Sequence, residues 1–115
     1  LKMAFMEISS LLSSLFLLTS HLMFSQIEVK YFNAAWNSAN DISWISKLSD
    51  CDIEKYDIGA KPADAGKFKV VVVPTILVFQ YGEEVERYQA DISFKMLTTR
   101  EEIQDYIDEL VMSAF

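Results

Sequence analysis

The sequence holds one cysteine, Cys51, and one histidine, His21, in 115 residues. Thiol–disulfide exchange passes through a mixed disulfide that a second thiol normally resolves. A lone Cys51 is therefore limited to staying free, being capped by a small thiol, or cross-linking two chains. Its neighbours work against even that, because Asp50 and Asp52 set negative charge beside the sulfur and oppose thiolate formation. An inert, half-buried cysteine at the start of a strand is the plainer expectation. A single histidine cannot assemble a zinc centre or a hydrolytic triad. The carboxylates of Glu83, Glu84 and Glu86 straddle a turn, and those of Glu101, Glu102, Asp105, Asp108 and Glu109 read as a solvated helix face. Neither set has metal-ligand spacing. With no glycine-rich phosphate loop either, no catalytic residue, metal or cofactor is expected.

The elements that would carry any site can be read from periodicity and punctuation. Ile27 to Asn33 alternates and is rich in β-branched and aromatic residues, as a strand requires. A short helix follows, capped by Asn40 or Asp41, with Ile42, Ile45 and Leu48 as its apolar stripe and Trp44 alongside. Ile53 to Ile58 predicts a second strand closed by the turn at Gly59 to Pro62, and Pro62 starts a brief helix through Lys67. Val70 to Val73 leads into Pro74, which restricts the residue before it to extended backbone. Thr75 to Phe79 then pairs through a turn at Gln80 to Glu83 with a strand at Val85 to Gln89. Thr99 and Glu102 have the spacing of a capping box, and Ile103, Ile107, Leu110 and Val111 give the last helix one apolar face. The expected order is β-α-β-α-β-β-α in a single α/β domain over residues 26–115.

Charge and hydropathy narrow the partners. Ten basic residues are scattered among seventeen acidic ones, for a net charge of −7, which argues against nucleic acid and against an anionic membrane surface. From Ile8 to Ile27 no residue is formally charged. Residues 1–25 fit a signal peptide, with Lys2 early, a short apolar centre and Ser25 before Gln26, although Glu7 and Met23 fit it poorly. A retained anchor needs about 20 apolar residues, which this span reaches only marginally. An apolar first helix packed on the sheet is the third alternative. The expected location is therefore exported, periplasmic or extracellular, with membrane attachment only if residues 8–25 are retained.

Val73-Pro74-Thr75, the following Phe79 and Gly82-Glu83, with Tyr56 to Lys67-Phe68 ahead of them, fall at the spacings of a thioredoxin. Phe32 to Trp36 likewise resembles the strand end and tryptophan that precede the thioredoxin redox motif. The resemblance covers most of residues 27–90 and implies a thioredoxin-like fold with a central four-stranded mixed sheet. It also implies a cis Val73-Pro74 bond, with Val73 offered to an extended protein segment beside Trp36.

The departures from that pattern bear most directly on function. Trp36-Asn37-Ser38-Ala39-Asn40 carries asparagine at both positions where the family has cysteine, Tyr31 stands where many relatives bury a carboxylate, and the helix after the motif is short. Asparagine forms neither a thiolate nor a disulfide, though its side-chain oxygen can cap free helix N–H groups. The implied function is a redox-inactive module that binds protein or serves a structural role, the alternative being thiol chemistry at Cys51. Relative to the family, Ala90 to Leu97 is an insertion. Its Ile92, Phe94, Met96 and Leu97 would either form an apolar wall for a client, with Phe94 and Met96 flanking the groove, or fold back over the core.

Overall fold

A computed structural model describes residues 26–114. The signal peptide, anchor or helix expected over residues 1–25 lies outside the described residues. In chain order the elements are β1 (Ile27–Asn33), two 3-10 helices (Ala35–Asn40 and Ser43–Lys47), β2 (Asp52–Asp57), α1 (Pro62–Lys67), β3 (Thr75–Gln80), β4 (Glu83–Gln89) and α2 (Arg100–Ser113). The strands form one sheet in the order β2-β1-β3-β4. β1 is parallel to β2 and antiparallel to β3, which is antiparallel to β4.

β1 and β3 occupy the centre, and their burial shows it. Alternation in β1 suggested one buried face, yet six of its seven residues are buried, because a central strand is covered on both sides. On one face Val29, Tyr31, Ile76 and Val78 pack with Ile42 and Ile45 of the 3-10 segment and Ile103 and Ile107 of α2. On the other, Phe32 and Leu77 meet Val70, Ala65 and Phe68. Each fully buried side chain of this size contributes roughly 1.5–3 kcal/mol from removal of apolar surface from water. Lys30 is buried on the second face, its ammonium 5.4 to 5.7 Å from the ring centres of Tyr56, Phe68 and Phe79 and 3.3 Å from the Glu54 carboxylate.

The segment after β1 departs from expectation. Instead of an α-helix capped by Asn40 or Asp41, the chain makes two 3-10 turns separated by extended backbone at Asp41 and Ile42, and neither turn has a side-chain cap. The apolar positions Ile42, Ile45 and Leu48 lie three apart, which suits three residues per turn as well as it suits an α-helical stripe. α1 begins at Pro62 as expected. Its exit is held by Arg87 of β4, whose guanidinium donates to the carbonyls of Phe68 and Lys69, both at 2.8 Å.

The β3–β4 turn is tighter than the sequence suggested, with only Tyr81 and Gly82 outside the strands. Both have positive φ, 52° and 82°, the mirror-image turn whose twist matches a hairpin and which favours glycine. At α2, Thr99 Oγ1 accepts from the Glu102 amide at 3.2 Å, so the Thr99 half of the capping box forms.

Candidate functional site

β1 ends beside β2, with Asn33 opposite Asp57. The chain then turns at once into the first 3-10 helix, so residues 35–40 sit at the carboxyl end of the parallel pair, and the segment leading into β3 arrives next to them. The Val73–Pro74 peptide bond is cis.

Asn37 and Asn40 stand together. The Asn40 side-chain amide donates to Asn37 Oδ1 at 2.9 Å, and Asn37 Nδ2 donates to Asn33 Oδ1 at 3.1 Å and to the Phe94 carbonyl at 3.4 Å. Asn37 is only 4% exposed. The expected role of its oxygen as a helix cap is corrected here: that oxygen receives a side chain, not a backbone N–H, because the first turn is 3-10 and begins at Ala34 without a cap. Ser38 and Ala39 complete the turn and are exposed.

A second group of residues supports this pair. Asp41 Oδ1 accepts from the Tyr31 hydroxyl and, at 3.2 Å, from Asn33 Nδ2, while Tyr31 accepts from the Ile42 amide at 3.0 Å. The Tyr31 hydroxyl holds the Asp41 carboxyl below the usual carboxylate range, with further help from Asn33, the Ile42 amide and the Lys55 charge, while burial works the other way. Burial first, then the bond to Asp41, push the Tyr31 hydroxyl up. Tyr31 thus brings its hydroxyl to a carboxylate that comes from Asp41. Asn33 was not singled out from sequence, and Asp41 only as a possible helix cap. They are eight residues apart, and only the reversal after β1 brings them together.

The aromatic rim is exposed. Trp36 is 66% exposed and meets Phe94 edge to face, with ring centres 5.3 Å apart. Such a pair contributes about 0.5–1.5 kcal/mol beyond area burial. The insertion divides its apolar residues: Met96 packs against the core, whereas Ile92 and Leu97 face solvent. Asp91 shapes the loop, its carboxylate accepting from the Ser93 and Lys95 amides while Phe94 takes a positive φ of 63°. Val73, Pro74 and Thr75 are buried. The Pro74 carbonyl already accepts from the Ala90 amide at 3.0 Å. Trp36, Phe94 and Val71 remain exposed.

Cys51 is elsewhere. It precedes Asp52, at the end of β2 away from Asp57, so the length of a strand, roughly 17 Å at 3.3 Å per residue, separates it from the asparagine pair. Burial first, then Asp52 and Asp50, push its thiol up to about 11. Among the described residues no group of three or more His, Cys, Asp or Glu side chains is placed to hold a metal ion.

No protein-family model matches the sequence. A thioredoxin of Staphylococcus haemolyticus is 44% identical over 36 residues, 31% of this chain, and the chain spans only 35% of that curated relative's length. Among solved structures, a point-mutant thioredoxin from Halobacterium salinarum superposes with a TM-score of 0.59 at 22% identity, covering 74% of each chain. Thioredoxin 1 from Thermosipho africanus gives 0.58 at 21% identity, covering 76% of this chain and 97% of the other. The chain has the thioredoxin-like fold, and with a single cysteine it has no CxxC pair.

Proposed function

We propose that this thioredoxin-like domain is a redox-inactive binding module that takes an extended protein segment across the Trp36–Phe94 surface, in an exported or envelope setting. The observation that carries the proposal is the pair Asn37 and Asn40, hydrogen-bonded to each other at 2.9 Å where the resemblance sets the two sulfurs. A site that has exchanged thiols for amides keeps its shape while losing its nucleophile. Exposed aromatic side chains beside it supply the kind of rigid amphipathic surface that dominates protein recognition. The exported setting rests on the uncharged run from Ile8 to Ile27.

Two measurements test the proposal. Insulin reduction should stay at the uncatalysed rate, and clear turnover would refute redox inactivity. An unfolded, alkylated model protein should bind the wild-type domain, and Trp36→Ala with Phe94→Ala should weaken that binding at least about tenfold, as truncation of central aromatic anchors does. Equal binding by the folded double variant would exclude this surface. Chemistry at Cys51 is the rival, and its burial and raised thiol disfavour it.

A further inference from the structure

The side chains beneath the aromatic rim form a hydrogen-bonded chain with one possible direction. A carboxylate only accepts, whereas each asparagine amide has one accepting and one donating end. Asp41 therefore requires Asn33 to present Nδ2, which it does at 3.2 Å. That leaves Asn33 Oδ1 facing Asn37, so Asn37 must present its own Nδ2, at 3.1 Å. The same Nδ2 group reaches the Phe94 carbonyl at 3.4 Å, and Asn37 Oδ1 is left to accept from Asn40 at 2.9 Å. Flipping Asn33 or Asn37 would oppose two acceptors, at Asp41, at Asn33 or at the Phe94 carbonyl. Asn33 and Asn37 are 8% and 4% exposed, so water is poorly placed to relieve the conflict.

We propose that Asp41 is a positioning residue: acting through Asn33 and Asn37, it dictates the amide orientation that latches the Phe94 loop against Trp36. The inference rests on the binding surface proposed above but concerns how that surface is held, so it is tested with no partner present. The loop needs such a latch. It is shaped internally by Asp91, with the Asp91 amide donating to the Lys95 carbonyl and the Phe94 amide to the Asp91 carbonyl, both at 3.0 Å. Those bonds fix its form, the Ala90–Pro74 bond and the packing of Met96 hold its two ends, and the placement of Phe94 between them is left to the contacts with Asn37 and Trp36. The Tyr31 hydroxyl and the Ile42 amide in turn hold Asp41 and Tyr31 to one another.

Solution NMR of the free domain provides the test, read from the nuclear Overhauser contacts between the Phe94 and Trp36 rings and from the side-chain amide signals of Asn37. Asp41→Ala removes the acceptor that sets the direction, and the ring–ring contacts should be lost while the core spectrum persists. Asp41→Asn keeps an accepting oxygen of the same shape and should restore them. Asn37→Asp leaves Asp41 intact but turns a second acceptor toward Asn33 and Phe94, so it should also lose the ring contacts. If Asp41→Ala fails to fold, the Asn37→Asp variant decides the matter alone. Retention of the ring contacts in either Asp41→Ala or Asn37→Asp would overturn the latch, and so would failure of Asp41→Asn to restore them. Loss of client binding on Trp36→Ala with the Asn37 side-chain amide signals unchanged supports the latch as a device separate from the binding proposal, whose own failure would leave those signals and the ring contacts as they are.

Discussion

At the residue scale, Asn37 and Asn40 stand where the resemblance sets two sulfurs, and the positions should accept a pair of cysteines. Three residues of a 3-10 helix rise about 6 Å, within the Cα separation a disulfide spans, and the Asn37 and Asn40 side chains already touch. Asn37→Cys with Asn40→Cys should therefore oxidise to an internal disulfide, leaving Cys51 as the one titratable thiol under denaturing conditions. Three free thiols after air oxidation would show that the turn holds the positions apart.

Protonation belongs to the same scale. In the folded protein the carboxyls of Asp41, Glu54 and Glu84 are held below their ordinary range, principally by hydrogen bonds from Tyr31, Tyr56 and Arg87 respectively. Because the unfolded chain then binds more protons in acid, their contribution is present above the ordinary carboxylate range and is lost as pH falls through the depressed folded values. Urea midpoints should be level above about pH 5 and decline below about pH 4. Asp41→Asn should flatten part of that decline. Little of this network was legible in the sequence, since Asn33 and Asp41 form no motif and the left-handed backbone at Phe94 comes from Asp91, not from a glycine.

At the scale of elements, punctuation carried most of the information. Pro62 marks where α1 begins, Tyr81-Gly82 where the hairpin turns, and Thr99 where α2 starts. Each acts through local backbone chemistry that a sequence displays directly. Thr99→Ala should destabilise the domain by about 1 kcal/mol, the usual effect of losing an N-cap, seen as a lower denaturation midpoint with unchanged cooperativity. The failure was the segment after β1, where a spacing of three fits 3-10 and α-helical geometry alike. Tertiary packing made the choice there: Ile42, Ile45 and Leu48 are buried in the first-face core together with β1 and α2. The insertion was legible in composition and not in outcome, because nothing local distinguishes Met96, which packs inward, from Ile92 and Leu97, which do not.

Across the whole molecule, the sheet order follows from the βαβ and ββα units that the sequence announced, and identities of 22% and 21% to solved thioredoxins are enough to keep it. The buried charge was not anticipated. In β1, Lys30 occupies a position that alternation alone would have filled with something greasy or turned outward, and the rings of Tyr56, Phe68 and Phe79 accept it by cation–π contact. Enclosure has a practical consequence for anyone watching the domain open. Amine-reactive reagents should label the surface lysines quickly and spare Lys30, whose modification should wait for the sheet to come apart. A labelling time course resolved by peptide mass would then clock global unfolding from one nitrogen. Early modification of Lys30 would mean that its aromatic enclosure breathes open without the rest of the domain.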